Sequence, residues 1–451
     1  MVILDVSIVN VALPSIRGAL HFSTTGLQWV VNAYTITFAG FLLLGGRAAD
    51  LLGRRRVFVL GTAAFALSSL ACAFAATRGL LLGARALQGL AGAVLSPATL
   101  SIITSSLPEG AERNRALGVW AAVGGLGASS GALLGGLLTQ SLGWPAIFAV
   151  NAPLGAVVIA LGLRVIPAGG GRVRERHFDL TGAALVTAGL ASLTYGIVRT
   201  DALGWGAPGV LVPLAAAASL LGAFVLVEQR VARAPLMPLS IFRIAQLRAA
   251  NLIVVLLYAG LFATFFFLTL YLQQVLHDGA LQAGVSFLPV TLSVFSGSSA
   301  APRLVARFGV RVVLSGGMLI ATVGLVLLTG VRPGGAYLAQ VLPGGVLAGL
   351  GMGLALVSAT VAAMQGVPRK QSGLASGLLN SSRLVGGALG LAVLSTVAAS
   401  HTRSEAAIGG LHALTDGFAL AFGVGAVFTV VGALAAVTLL GPRGPVAPAG
   451  A

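Results

Sequence analysis

An all-α protein that crosses a lipid bilayer fourteen times is the fold class this sequence predicts, and three observations predict it. Of its 451 residues, 57% are hydrophobic and only 8% are charged, whereas soluble proteins carry about 25% charged residues. The apolar runs last around 20 residues, enough to cross a hydrocarbon layer of roughly 30 Å, and do not alternate over about 10 as a barrel strand would. The charges collect in alternate connections between those runs. The 63 Gly suit helices that pack closely within a membrane.

The stretch GGRAADLLGRRR, Gly45–Arg56, organises the rest. Nothing in Leu27–Gly45 or Val57–Thr77 carries a charge, so this island of four Arg and one Asp reads as a cytoplasmic hairpin turn between two spans. Upstream, Val2–Leu13 is apolar except for Asp5, Ser7 and Asn10, and Pro14 is expected to end it. That reach is about 20 Å. Either the first span is short or the sequence starts inside a helix whose beginning is absent, and the second is preferred. Further spans are expected near 28–45, 57–77, 80–104, 116–138 and 145–165, then 180–198 and 208–227, then 249–272, 281–301, 312–330, 338–362, 373–398 and 417–440. The predicted organisation is a six-helix bundle over 1–166, two additional helices with cytoplasmic linkers over 167–248, a second six-helix bundle over 249–440, and a cytoplasmic tail over 441–451. The linker 169–179 is rich in Gly and Arg, and 228–248 reads as an amphipathic segment along the inner surface.

Orientation follows from arithmetic on the 27 Arg and Lys residues. Arg17, Arg78, Arg199, Arg332 and Arg403 fall in one set of connections, Arg85 and Arg383 fall inside spans, and the remaining 20 lie in the alternate set and the C-terminal tail. The positive-inside rule makes that set cytoplasmic, in the cell inner membrane, with both termini inside if the first span is complete. The net charge of +16 is therefore a topological signal and predicts no nucleic-acid partner. Trp29, Trp144 and Trp205 lie near outer ends and Trp120 near an inner end, as interface anchors do. Cys72, the single cysteine, reads as a small packed residue.

Ionised groups in hydrocarbon cost roughly 2.5–3.5 kcal/mol even on lenient scales, so Asp5, Arg85 and Arg383 demand explanation. Asp5, about 13 Å below Pro14, and Arg85, about 9 Å into its own span, overlap in depth. They can share an ion pair or a hydrogen-bond network if the first and fourth spans face one cavity. Proton coupling, a purely structural pair and substrate recognition are the roles this leaves for Asp5, with the first preferred. Arg85, Gln88 or Gly89, Gly92 and Ser96 form a polar and small-residue stripe, and Gln28, Asn32 and Thr35 form another on the second span. Either stripe suits a cavity or simple interhelical hydrogen bonds. Asn10 lies about 140° around the helix from Asp5. Gly124, Gly127, Gly131, Gly135 and Gly136 make a close-approach surface. Ser376, Asn380, Arg383, Gly387 and Gly390 share a face, and Arg383 has no evident acid near it. Backbone carbonyls, Asp5 in another state, and a substrate anion are its candidate partners. Tyr258, Phe262, Phe265, Phe266 and Tyr271 read as packing, with part of an apolar pocket as the alternative. Near the outer turn, His277 and Asp278 read as solvated.

APRLVARFGVR, Ala301–Arg311, repeats the opening island: Arg303, Gly309 and Arg311 stand where Arg47, Gly53 and Arg55 do, and Ala306 replaces Asp50. Parallel repeats of this kind mark transporters whose halves close about a central site. No G-x-x-x-x-G-K-[ST] segment, His-rich metal cluster or nucleophile–base pair is present, which argues against ATP-driven transport, a cofactor and an enzyme.

With these residues the chain resembles the major facilitator superfamily, in particular its fourteen-helix drug–proton antiporter branch, the EmrB/QacA group. LDVSIVNVALPSI at 4–16 is similar to that branch's first-helix motif, GRAADLLGRRR at 46–56 to the loop motif, RALQGLAGA at 85–93 to the fourth-helix motif, and GASSGALLGG at 127–136 to the antiporter motif. FDLTG at 178–182 and 373–390 also resemble it. The resemblance implies two six-helix bundles plus two extra helices, and a monomeric unit exporting a small hydrophobic or monocationic compound against protons. It assigns Asp5 and Arg85 to proton coupling, and Gly46, Asp50, Gly53, Arg54 and Arg55 to a cytoplasmic gate. The sequence departs from the pattern at Ala132, where Pro is usual, and at Pro145, where Arg follows Trp. Uptake or facilitated transport of a metabolite is the alternative.

Overall fold

The computed structural model describes residues 1–106, 111–167, 179–231, 236, 239–365, 367, 372–405 and 410–441. Its helices are α1 Val2–Leu20, α2 Thr24–Leu27, α3 Trp29–Leu52, α4 Arg54–Ala73, α5 Arg78–Ser106, α6 Ala111–Leu142, α7 Pro145–Ala149, α8 Asn151–Val165, α9 Leu180–Leu203 and α10 Pro208–Leu226. They continue as α11 Ala245–Leu270, α12 Ala280–Ser286, α13 Leu288–Phe308, α14 Val310–Leu328, α15 Leu342–Met364, α16 Ser372–Ser404 and α17 Gly410–Leu439. Among the described residues, twelve helical segments are long and apolar enough to cross a membrane. With α3 of 24 residues and α6 of 32, the series of fourteen is complete. Most of linker 169–179 and of tail 441–451 lies outside the described residues.

Pro14 does not end the first span. It sits inside α1, which runs on to Leu20 and stops at His21 in the left-handed region, φ 54°. Proline removes one backbone donor, but Ile16, fully buried two residues later, holds the following turn against the core. The 19 residues of α1 reach about 28 Å.

The charged island is not an open turn either. α3 continues through it to Leu52, α4 begins at Arg54, and Gly53 alone breaks the helix, with φ 94°. The repeat behaves identically: α13 ends at Phe308, α14 begins at Val310, and Gly309 has φ 81°. A side chain at either glycine would be strained, which is why the repeated position is Gly. Nearby, Pro97 inside α5 cannot donate to the carbonyl of Ala93. That carbonyl faces Gly45 of α3, where a Cβ would collide with it.

The helices form two compact units, one of Met1–Tyr195, Leu211–Pro238 and Gly279–Val285, the other of Gly196–Val210, Leu239–Asp278 and Ser286–Ala451. In the first, α1 packs on α6, α3 and α4 on α5, and α4 on α8. In the second, α11 packs on α16, α13 and α14 on α15, and α14 on α17. These pairings correspond helix for helix, so the weak sequence repeat is a repeat of internal packing. The aromatic set on α11 belongs to the second unit's packing. Phe266 and Phe267 are buried, and Phe267 contacts Phe418 and Phe422. Phe265 stacks on Phe287, and the Tyr271 hydroxyl donates to the Arg332 carbonyl at 2.8 Å. Tyr258 is half-buried on α11.

Candidate functional site

Asp5 has no solvent exposure, and Arg85 is only 1% exposed. Three helices bring polar groups to the carboxylate on α1. On α5, Arg85 and Gln88 are three residues apart and share a face. On α4, Ser69 and Cys72 have the same spacing. α8 contributes Asn151, its first residue. The helix interrupts just before Asn151 because Pro153 can neither donate to Ala149 nor clear its carbonyl.

Arg85 Nη1 donates to Asp5 Oδ2 at 2.6 Å and to Gln88 Oε1 at 2.6 Å, while its Nε donates to the Val30 carbonyl of α3 at 2.9 Å. The guanidinium carbon lies 4.4 Å from the Tyr34 ring centroid and 5.7 Å from that of Phe148, which adds cation–π attraction. Asp5 Oδ1 accepts from Gln88 Nε2 at 2.8 Å and Asn151 Nδ2 at 3.3 Å. The Ser69 hydroxyl donates to the Phe148 carbonyl at 2.9 Å and accepts from Gln88 at 3.1 Å and Asn151 at 3.0 Å. Cys72 Sγ lies 3.9 Å from Gln88 Oε1, so the thiol is a weak donor to this network as well as a packed residue. Every group aimed at Asp5 is a donor, which is the arrangement an ionised carboxylate requires. A proton on the carboxyl would need an acceptor, and Asn151 Oδ1, buried and without a hydrogen-bond partner among the described residues, is one rotation of its amide away.

The expected Asp5–Arg85 pair is thus present, with Gln88 bridging it. Ser69 and Asn151 were not anticipated. Asn151 is a single amide in an apolar run and Ser69 one of two adjacent serines in another, and neither stands out as part of a polar stripe. Asn10 is half-buried and turned to its own helix, where Nδ2 donates to the Val6 carbonyl at 3.3 Å. Thr35 likewise donates to the Val31 carbonyl at 2.9 Å. Gln28 and Asn32 are fully buried, and all four amide atoms lack a partner among the described residues. They share the face of α3 opposite the one that turns Val30 and Tyr34 to α5, at 100° per residue.

At the charged island, Arg54 Nε donates to Ser101 Oγ at 2.7 Å and Arg55 Nη2 to the Leu163 carbonyl at 2.6 Å. The Asp50 side chain lies outside the described residues, and Gly46 faces Pro97. Gly127, Gly131 and Gly135 of α6 lie along Leu4, Ser7 and Ile8 of α1, and Gly136 lies against Ala280 and Leu281 of α12. Ala132 is buried in an uninterrupted α6, and its carbonyl faces Gly284. Pro145 occupies the first turn of α7, where its missing N–H costs nothing. In the second unit, Arg383 Nη1 donates to Asn380 Oδ1 and Nη2 to Thr360 Oγ1, each at 3.0 Å. Its two bonded partners are side chains, not the backbone carbonyls considered above.

The chain is 42% identical over 412 residues to the cephamycin export protein CmcT of Amycolatopsis lactamdurans, an alignment covering 90% of this chain and 84% of that protein. It is 41% identical to the puromycin resistance protein pur8 of Streptomyces alboniger, covering 94% and 86%. It is 34% identical to the tetracenomycin C resistance and export protein of Streptomyces glaucescens, covering 89% and 74%. Among solved structures, the nucleoside transporter NupG superposes with a TM-score of 0.65 at 14% identity, covering 98% of both chains, a likeness of fold. The family description Major Facilitator Superfamily matches residues 1–391. On this match and these relatives, the chain belongs to the Major Facilitator Superfamily.

Proposed function

We propose that this membrane transporter exports small hydrophobic or monocationic compounds by alternating access, each turnover driven by a proton that enters on Asp5. The observation that carries the reading is the buried cluster of Asp5, Arg85, Gln88, Asn151 and Ser69 on four helices of one unit. The acid is completely removed from water, and its partners among the described residues are all donors on other helices. Rearranging α1 against α5 or α8 breaks those hydrogen bonds. Proton uptake and helix movement are coupled through the same hydrogen bonds. An inward proton releases about 2.3 kcal/mol per 100 mV of membrane potential, enough to bias export without nucleotide hydrolysis. Gln28 and Asn32, whose amides lack protein partners among the described residues, are the substrate-facing polar groups in this reading. Arg54 and Arg55 fasten the inner ends of the helices, and the monomer is the transport unit. The export and resistance proteins among the relatives point to antibiotic-like cargo.

The test is direction-resolved flux in proteoliposomes with an imposed pH gradient, using puromycin as a cationic probe. Wild-type protein drives efflux from the side corresponding to the cytoplasm when the gradient is applied. Asp5→Asn retains substrate binding and loses gradient-driven flux. Flux indifferent to the gradient would refute proton coupling, and inward accumulation would favour uptake.

A further inference from the structure

The second unit carries a cation that nothing among its described residues neutralises. Arg383 is the twelfth residue of α16, about 16 Å from the helix's inner end and well inside the apolar layer. Arg383 is half-buried and, among the described residues, its guanidinium is bonded only to neutral oxygens, those of Asn380 and Thr360, while its Nε is buried with no partner. The acids of this unit are Asp201, Asp278, Glu405 and Asp416. All four lie at the outer ends of their helices, and Glu405 is 22 residues further along the chain, about 33 Å away by helical rise. The contrast with Arg85 is sharp. That arginine has a carboxylate at 2.6 Å, a carbonyl, an amide oxygen and an aromatic face. A guanidinium in hydrocarbon is costly unless compensated, and its planar fork fits a carboxylate bidentately.

From this we infer that Arg383, with Asn380 and Thr360, is a binding site for the carboxylate of an amphipathic small molecule. The transporter therefore takes weakly acidic cargo alongside the hydrophobic and cationic compounds proposed above. The inference rests on the export reading for its physiological meaning, but the binding itself can be tested apart from it. Asn380 holds one Nη and Thr360 the other, which fixes the plane of the guanidinium, and the buried Nε has no partner among the described residues. A lipid headgroup offers the same anionic chemistry, so the experiment separates the two sources.

Binding of 1-naphthylacetate and of its uncharged isostere 1-naphthylacetamide is measured, without any gradient, on the full chain in phosphatidylcholine nanodiscs. Wild-type protein prefers the carboxylate. In Arg383→Gln the carboxylate-to-amide preference falls by about 10- to 100-fold, the range for loss of charge-assisted hydrogen bonds, and Arg383→Lys restores part of it. The amide reports whether the variant is folded. An equal fall for both compounds, or a wild type with no preference, overturns the site. Loss of carboxylate binding when phosphatidylglycerol is added to the nanodiscs overturns it in favour of a lipid ligand. If the wild type binds the carboxylate but no probe shows gradient-driven flux, the site stands and the export reading falls.

Discussion

Replacing Asp5 by Asn should destabilise the protein more than replacing Asp5 and Arg85 together. The single change leaves a guanidinium with no solvent-facing surface to speak of and only neutral acceptors, the Val30 carbonyl and Gln88 Oε1, beside the Tyr34 and Phe148 rings. Breaking a buried pair on one side costs about 3–5 kcal/mol. In Asp5→Asn combined with Arg85→Gln no charge remains. The loss is then that of two or three net hydrogen bonds at about 1 kcal/mol each, with some of these re-formed between amides. The double variant is thus about 1–3 kcal/mol down, and the cycle yields a coupling energy of at least about 2 kcal/mol. Unfolding in mixed micelles followed by tryptophan fluorescence measures all four proteins. Proton-driven export is absent from the three variants, so stability and transport separate in the double variant. Destabilisations that simply add would refute the reasoning, because the pair would then contribute nothing beyond its members.

Gly135→Ala places a Cβ 2.7 Å from the Ile8 carbonyl oxygen, a backbone atom that cannot step aside. It should lower stability by about 1–3 kcal/mol, whereas Gly18→Ala, with nothing within 4 Å, should be neutral or stabilising; thermal unfolding in detergent decides. Gly53→Ala and Gly309→Ala should each cost about 1–2 kcal/mol, since both glycines have positive φ, and the two losses should match in the same assay. Burial raises the Asp278 carboxyl above its ordinary value of 3.8, so folding favours its protonated form. Its contribution is complete below that value and declines as pH rises through the folded-state value. Asp278→Asn should narrow the difference in melting temperature between pH 4 and pH 7, and a widened difference would contradict the sign.

What could be read from the sequence was whatever depends on one helix at a time. Span number follows from hydropathy, and the Gly53 and Gly309 correspondence follows from motif spacing. Asp5 and Arg85 stood out because a charge in an apolar run has no bland explanation. Ser69 and Asn151 did not, since a lone hydroxyl or amide in a span usually satisfies itself, as Thr62 and Ser68 do on α4. Only packing reveals that Ser69 instead joins α4, α5 and α8. Pro14 misled for a related reason. A proline's local cost was visible, but the burial of Ile16 that carries the helix past it is a property of the packed unit. Helical continuity on both sides of Gly53 was hidden by charge, which marks exposure to water as readily as it marks a turn.

The two units supply a comparison that neither supplies alone. Their helices pair in the same order, so the same packing problem is solved twice. Around α11 and α17, the counterparts of α1 and α8, the second unit fills its interior with Phe266, Phe267, Phe418 and Phe422. Around α1 and α8 the first unit buries an acid, a guanidinium, two amides and a hydroxyl. If stability were the only requirement, the apolar solution would serve both, because a buried ion pair rarely surpasses well-packed hydrophobic residues of similar volume. Shared architecture therefore removes fold as the reason for the charges. In the proposed export reading the charges serve a property that phenyl rings lack, an energy that depends on whether Asp5 holds a proton and on which helices stand beside it.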